Sequence, residues 1–305
     1  MKVIRASVTG FCMGVRRAVD MALRSSSRDC SPGDFSPGIG AAGCHAKHPA
    51  RIYTLGPLIH NPTVLESLKN LGILALGENE MPQDAADTAV IIRAHGIPPS
   101  LEDALSRQGA QIIDATCPHV KASQNKARAL SRDGYYIFLA GEKEHAEIIG
   151  IQGYIDGPCS IVANPAGAEE AAAELAQGNP GAKTALLGQT TISIEEYLAI
   201  GEAIKRHFPS LEIVNTICGA TRERQDALRE LCSGVDAIVI AGGRESANTR
   251  RLLSIAESCG KKAWLVETPK DIPADLGQYK EIGLSAGAST PDSLIDEIEE
   301  VLSGL

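Results

Sequence analysis

The 305-residue chain predicts an α/β protein in which parallel sheets carry helices on both faces and are shared among three similar lobes. Three observations carry this. Short β-branched or apolar runs alternate with helix-like segments almost throughout. The length exceeds a single core and calls for two or three domains of roughly 100 to 150 residues. Cys12, Cys117 and Cys218 divide the chain almost into thirds, in Val-Thr-Gly-Phe-Cys, Ile-Asp-Ala-Thr-Cys and Val-Asn-Thr-Ile-Cys, and each opens a segment that reads as a helix. Four positions further on the residue is basic every time: Arg16, Lys121 and Arg222.

In chain order the strand candidates are Lys2 to Val8, Ile52 to Leu55, Ala89 to Arg93, Gln111 to Asp114, Tyr135 to Ala140, Ser160 to Ala163, Thr184 to Leu187, Glu212 to Asn215, Ala237 to Ala241, Lys262 to Val266 and Glu281 to Leu284. Helix starts are marked locally. Asn61-Pro62 offers an N-cap followed by proline at the first helical position, and Gly72 closes that helix. Ser100-Leu-Glu-Asp comes near a capping box, Ser193-Ile-Glu-Glu fits one, and Thr290-Pro291-Asp292 repeats the N-cap and proline device. From Ser25 to Pro49 the chain is rich in Ser, Gly, Pro and Ala and reads as a loop or partly disordered insertion containing Cys30, Cys44, His45 and His48. Cys44-His45-x-x-His48 has no fourth ligand at firm spacing that would make it a metal site.

With 44% hydrophobic and 22% charged residues the composition is that of an ordinary globular protein. Aromatics at 4% leave little for base stacking, and a net charge of −9 argues against a nucleic-acid footprint, which needs a basic face. No apolar run approaches the roughly 18 residues of a membrane span, and Met-Lys-Val-Ile-Arg leads straight into a strand-like segment rather than a signal peptide. A cytoplasmic location is expected. There the eight cysteines, none in a Cys-x-x-Cys pair, read as metal ligands, catalytic thiols or inert core residues rather than disulfides. Cys159, Cys232 and Cys259 take the inert reading.

If Cys12, Cys117 and Cys218 converge, three thiolates without a fourth could hold zinc with an open position, or an iron-sulfur cluster with one iron lacking a protein ligand. Single cysteines a third of the chain apart favour the larger cluster. Helix N-termini would stabilise thiolates, and Arg16, Lys121 and Arg222, one turn along, could form a basic ring around the site.

Polar residues gather where strands end, the edge at which open α/β sheets bind ligands. His60 in Leu-Ile-His-Asn-Pro, His95 in Arg-Ala-His-Gly and His145 in Glu-His-Ala-Glu each follow a predicted strand and suggest an anion pocket. Further donors stand in Gly242-Gly-Arg-Glu-Ser246-Ala-Asn248 and Ser285-Ala-Gly-Ala-Ser289, where glycines admit close backbone approach at a helix start, as phosphate oxygens require. Neither is a dinucleotide fingerprint or a Walker loop. Glu147 among apolar walls and beside an anion would have its pKa raised, which suits a proton donor, and Gln189-Thr190-Thr191 follows the next strand.

Taken together, Gly-Phe-Cys12-x-Gly-Val-x-Arg-Ala, His60-Asn, Ala-His95-Gly, Asp-Ala-Thr-Cys117-Pro, His145-x-Glu147, Gln-Thr190-Thr191, Ile-Cys218-x-Ala-Thr, Ser246-x-Asn248 and Ala-Gly-Ala-Ser289-x-Pro-Asp resemble the 4-hydroxy-3-methylbut-2-enyl diphosphate reductase (IspH or LytB) family, in order and over nearly the whole chain. The resemblance implies a trefoil of three α/β lobes around one [4Fe-4S] cluster held by Cys12, Cys117 and Cys218, whose open iron binds the substrate's allylic hydroxyl. It implies that His60, His95, His145, Ser246, Asn248 and Ser289 hold the diphosphate, that Glu147 donates a proton, and that Thr190 lies near the hydroxyl with Thr191 beside it. Ferredoxin or flavodoxin would supply electrons, and isopentenyl and dimethylallyl diphosphate would be the products. Three features depart from the family pattern: Ala247, Ala146 and the long insertion.

The lobes are expected at 15–115 (with the insertion 25–49), 116–214, and 215–305 plus 1–14. Two other readings stay open: a non-catalytic iron-sulfur sensor, which has no use for Glu147 or the phosphate donors, and a zinc-dependent hydrolase of phosphorylated substrates.

Overall fold

The computed structural model describes residues 1–26, 49–77, 80–83 and 85–305. The chain begins with β1 (Lys2–Arg5) and α1 (Met13–Ser26). A first lobe follows, with β2 (Arg51–Leu55), α2 (Pro62–Asn70), β3 (Ile73–Leu76), β4 (Thr88–Ile92), α3 (Pro99–Arg107) and β5 (Gln111–Asp114). The second contains α4 (Pro118–Arg132), β6 (Tyr136–Ala140), α5 (Ala146–Gln152), β7 (Cys159–Val162), α6 (Pro165–Gly178), β8 (Thr184–Gly188), α7 (Ile194–Lys205) and β9 (Glu212–Ile213). The third contains α8 (Gly219–Ser233), β10 (Ala237–Ala241), α9 (Ala247–Ser258), β11 (Lys262–Val266), β12 (Glu281–Ala286) and α10 (Asp292–Ser303).

Among the described residues the strands form three four-stranded sheets, ordered β3-β2-β4-β5, β7-β6-β8-β9 and β11-β10-β12-β1. Every pairing is parallel. The strand order is the same three times over. Only the source of the last strand differs: β5 and β9 follow their lobes directly, whereas the N-terminal β1 completes the third sheet, Lys2 to Arg5 lying beside Glu281 to Leu284. Three lobes of small parallel sheets are what the alternating pattern predicted.

The cores explain the alternation. In β6, Phe138 and Ala140 face α6 and α7, while Ile137 and Leu139 face α4 and α5, so side chains of period two feed two separate clusters. The third lobe repeats this, with Val239 and Leu284 against α10 and Ile238 and Ile240 against α8 and α9. In the first, Ile91 meets α1 and α2 and Ile92 meets Leu105 of α3. Strands β4, β8 and β10 are buried along their whole length. They read as continuous apolar runs for this reason.

Several local expectations need correction. Helix α1 runs through Ser26, with Ser25 and Ser26 hydroxyls donating back to the Met21 and Leu23 carbonyls, so the expected insertion does not begin at 25. Cys30, Cys44, His45 and His48 lie outside the described residues. Strand β3 was not predicted: Ile-Leu-Ala-Leu at a sheet edge, with Leu74 44% exposed, has no alternating signature. Asn61 caps α2 by accepting from the Val64 amide at 3.1 Å, as expected. Ser100, however, lies inside α3, which starts at Pro99. Ser193 accepts from the Glu196 amide at 3.2 Å, but the Glu196 carboxylate pairs with Arg251 instead of closing the box. Thr290 spends its hydroxyl on the Ala241 carbonyl at 3.0 Å, and α10 starts beyond it.

No described helix is long and apolar enough to cross a membrane.

Phe138, 0% exposed between β6 and the α6/α7 layer, tests the packing. Phe138→Ala is expected to cost about 3–5 kcal/mol in denaturant titration; a loss below about 1 kcal/mol would mean that this layer is not close-packed.

Candidate active site

The repeated topology places functional residues at repeated offsets. Five residues beyond the ends of β2, β6 and β10 stand His60, His145 and Ser246. Three beyond the ends of β4, β8 and β12 stand His95, Thr191 and Ser289. The loops after β5, β9 and β1 lead to Cys117, Cys218 and Cys12, each followed at once by a helix.

One hydrogen bond ties each cysteine to the neighbouring loop. The Cys117 amide donates to the Ala94 carbonyl at 2.9 Å, the Cys218 amide to Thr190 at 3.1 Å and the Cys12 amide to Ala288 at 3.1 Å. Each acceptor lies two residues past the end of β4, β8 or β12, and one residue before His95, Thr191 or Ser289. Each cysteine carbonyl then accepts from the amide four residues on, of Lys121, Arg222 and Arg16 respectively, at 2.9 to 3.1 Å. The three thiol-bearing residues therefore start their helices in the same way. No side-chain cap is spent on Cys117 or Cys218, so both thiols stay available.

The three cysteines, His60, His95, His145, Glu147, Thr190, Thr191, Ser246, Asn248 and Ser289 all line one cavity where the three sheet edges meet. Helix α1 packs so tightly there that a Cβ on Gly14 would come within 2.5 Å of Cys117 Sγ. Burial pushes the Cys117 thiol up, and thiolate charge at Cys12 and Cys218 would add to the effect. Cys159, Cys232 and Cys259 do not line the cavity.

The histidines stack on one another: ring centroids are 4.9 Å apart for His60 and His95, 5.3 Å for His95 and His145, and 6.2 Å for His60 and His145. Their ligand-type nitrogens lie within 4.8 Å of one another, a spacing a metal ion could bridge. The tautomer of His145 argues for an anion instead. Its Nδ1 accepts from the Glu147 amide at 3.2 Å, and burial, aided by His60 and nearby arginines, lowers its pKa to about 3. A neutral ring that accepts at Nδ1 carries its proton on Nε2, where it donates to an anion and has no lone pair for a metal. Burial likewise holds His95 well below its usual range.

The remaining donors are set for a guest. Asn248 is 5% exposed, yet neither its Nδ2 nor its Oδ1 has a partner. Such a group costs roughly 1–3 kcal/mol until something fills it. Ser246 Oγ accepts from the Thr249 amide at 3.3 Å, which leaves its hydroxyl proton to give. Ser289 donates to the His60 carbonyl at 3.2 Å, linking third lobe to first. Gln189 Nε2 donates to Thr191 Oγ1 at 2.8 Å.

Glu147 is 1% exposed. Its carboxylate accepts from the Thr190 amide at 2.6 Å and the Thr190 hydroxyl at 2.9 Å. Burial nevertheless outweighs both bonds and raises its pKa to about 7. A continuous hydrogen-bonded path thus runs from His145 through Glu147 and Thr190 to the Cys218 amide.

The expected basic ring does not form. Arg16 reaches Asp292 at 3.6 Å, Lys121 pairs with Asp114 at 2.6 Å, and Arg222 is exposed; none lines the cavity. The cation that does line it is Arg224, 2% exposed, which sequence reasoning missed. Its signal was helical phase. Counting back from the inward Leu231 and Leu228 by three, four and seven residues gives Leu228, Arg224 and Thr221, all buried.

Fold and site together define a three-lobed α/β enzyme type whose central pocket brings three thiols together with histidine, hydroxyl and amide groups. The model of the family described as LytB protein matches residues 38–303. The chain is 44% identical over 306 residues to a 4-hydroxy-3-methylbut-2-enyl diphosphate reductase of Treponema denticola, 99% of each being covered. Among solved structures it is similar to the E-1-hydroxy-2-methyl-but-2-enyl-4-diphosphate reductase from Plasmodium falciparum, with TM-score 0.85, 26% identity, and 99% of this chain and 88% of that one covered. It is also similar to an (E)-4-hydroxy-3-methyl-but-2-enyl diphosphate reductase described as the terminal enzyme of the non-mevalonate pathway, with TM-score 0.66, 34% identity and 100% of both chains covered. The chain belongs to the LytB family.

A Cβ on Gly243 would sit 2.4 Å from the His60 carbonyl, where backbone meets backbone and neither can swing away. Gly243→Ala is expected to lose about 1–3 kcal/mol in thermal or chemical unfolding. Gly178→Ala, near the end of α6 with nothing within 4 Å of the new Cβ, is the control, expected to gain roughly 0.5–1 kcal/mol. Equal effects at the two sites would sink the close approach between lobes.

Proposed function

We propose that the protein reduces (E)-4-hydroxy-3-methylbut-2-enyl diphosphate to isopentenyl and dimethylallyl diphosphate, the last step of the non-mevalonate isoprenoid pathway, as a cytoplasmic enzyme. Two electrons and two protons remove the allylic hydroxyl as water. The observation that carries this reading is the meeting, in one cavity, of three thiols with a buried carboxyl that remains partly protonated at neutral pH.

The donor set fits an iron-sulfur cluster. Cys12, Cys117 and Cys218 are all thiols, line one cavity and come singly from three separate helix starts. Structural zinc sites more often take paired ligands from one short segment. A [4Fe-4S] cluster on these three thiolates would supply single electrons and one coordination position free for the substrate oxygen. Ferredoxin or flavodoxin would be the electron source.

The chain's own residues do the rest. His60, His95 and His145 give N–H donors to the diphosphate, and His95 and His145, held neutral by burial, add no charges that would repel one another. Asn248 gains the partners it lacks, Ser246 donates its hydroxyl proton, and Ser289 turns its own from the His60 carbonyl to the diphosphate. Thr190, bonded through both its amide and its hydroxyl to Glu147, holds the carboxyl next to the substrate hydroxyl. Thr191, steadied by Gln189, closes the wall beside it. Glu147 delivers a proton to the departing oxygen. The cavity walls exclude water that would otherwise restore the carboxyl to its ordinary range.

Anaerobic purification followed by iron and sulfide analysis and EPR tests the cofactor; zinc without iron would exclude the reductase reading. With the diphosphate substrate and a reduced dye, Glu147→Gln is expected to lower turnover by about 10²–10⁴-fold while the EPR signal persists. A pKa of about 7, raised from 4.5, leaves the acid form dominant below pH 7. Turnover should therefore fall as pH rises through 7, and Glu147→Gln should remove that dependence. Unchanged turnover in this variant would favour a non-catalytic sensor.

Asn248→Ala removes an unsatisfied amide, so it should leave the melting temperature of the ligand-free protein unlowered while raising KM at least about tenfold, the loss of one to two bonds to a charged group. A lowered melting temperature with unchanged KM would assign Asn248 a purely structural role.

A further inference from the structure

The centre contains a buried cation for which the proposed reaction has no use. Arg224 on α8 is among the largest fully buried side chains and lines the same cavity as Cys12 and Cys218. Its Nη2 donates to the Gly10 carbonyl at 2.7 Å and its Nη1 to Ala220 at 3.4 Å, while Nε has no partner. Among the described residues it makes no ion pair with a carboxylate. Ionised, the Cys12 and Cys218 thiols would act on it more strongly than its neighbour Glu223.

A guanidinium does not give up its proton in a protein. An uncompensated buried charge is strongly unfavourable, so a fold that keeps one normally keeps its counter-charge nearby. Among the described residues no carboxylate is ion-paired with it, Glu223 acting only at a distance, and neutral thiols supply no counter-charge. A cluster on three thiolates is anionic, and more so after taking an electron.

We infer that Arg224 is the counter-ion of the cluster, clamped beside Cys12 and Cys218 by the Gly10 and Ala220 carbonyls. The inference rests on the cluster reading above. Arg224 is a positioning residue: its role runs through the cluster and not through a bond to the reacting oxygen. It lowers the energy of the loaded site and favours the reduced state of that site over the oxidised one. Through Gly10, 214 residues away in sequence, it also fixes the turn that delivers Cys12 from the β1 edge to α8 of the same lobe. The expected basic ring on α1, α4 and α8 is replaced by one internal cation.

The test compares wild type with Arg224→Met, Arg224→Gln and Arg224→Lys, each loaded anaerobically. Midpoint potential is read by EPR-monitored titration, iron and sulfide by analysis, and melting temperature in both loaded and iron-free protein. Arg224→Met and Arg224→Gln should shift the potential downward by about 59 mV or more, a tenfold loss of preference for the reduced state at one electron. Both should destabilise the loaded protein more than the iron-free protein. Arg224→Lys, keeping the charge, should lie between these and wild type. Arg224→Gln retains a donor for the Gly10 carbonyl and serves if methionine prevents folding. An iron-loaded wild type whose potential is matched by both neutral variants, with equal destabilisation of loaded and iron-free forms, overturns the counter-ion role and leaves the cluster standing. A wild type that takes up no iron or sulfide overturns the cluster reading, and this role with it.

Discussion

Three backbone hydrogen bonds hold the centre together: Cys117 to Ala94, Cys218 to Thr190 and Cys12 to Ala288. Each joins the chain leaving an outer strand to the loop leaving the inner strand beside it. The pairs β5 with β4, β9 with β8 and β1 with β12 are adjacent and parallel, so both loops of a pair emerge at the same edge. The residue after each acceptor is His95, Thr191 or Ser289. Cysteine and a polar cavity-lining residue are thereby fixed at one end of the same short link, once per lobe. The distance between the thiol-bearing centre and these polar residues is thus a property of sheet register rather than of flexible side chains.

An acidic protein of net charge −9 that accepts an anion needs local donors. The pocket provides most of them as neutral groups. His95 and His145, both held neutral by burial, lie 5.3 Å apart without mutual repulsion. Asn248 is kept dry and unsatisfied, and Ser246 is oriented by its helix cap. Neutral donors in a low-dielectric site bind through directed N–H and O–H groups, so they discriminate by geometry more than by charge. On the proposed reading, such a pocket would recognise the shape of a diphosphate rather than simply collect anions.

How much of this the sequence revealed differed by residue. Strands β10, β11 and β5 were read to the residue because their apolar runs are bounded by turns and paired on at least one side. Strand β3 was invisible, since an edge strand with two exposed residues carries no alternation. The cysteines and histidines were legible from threefold recurrence, a signal that sequence position alone supplies. The basic residues four places on recur just as faithfully, yet their side chains leave the site for Asp292, Asp114 and solvent. Recurrence located the backbone, where their amides close the first helical turn, and said nothing about which way long side chains point. Arg224 shows the converse. It has no counterpart in the other lobes, and only the helical phase set by Leu228 and Leu231 places it inside.

Glu147 shows why pocket and centre cannot be considered separately. Its amide faces His145 and its carboxyl faces Thr190, whose carbonyl receives the Cys218 amide. An anion arriving at His145 brings negative charge to one end of this path, and this favours protonation of the carboxyl over ionisation. In the empty pocket, with a pKa of about 7, the group is close to evenly divided at neutral pH. On the proposed reading, binding of the diphosphate would push it toward the acid form at the moment a proton is needed. Removing solvent from the cavity acts in the same direction, because desolvation is the cause that raised this pKa in the first place. The backbone link from Thr190 to Cys218 fixes where the carboxyl lies relative to the thiols, so an acid charged by substrate binding would be aimed by the same bond that positions the cysteine.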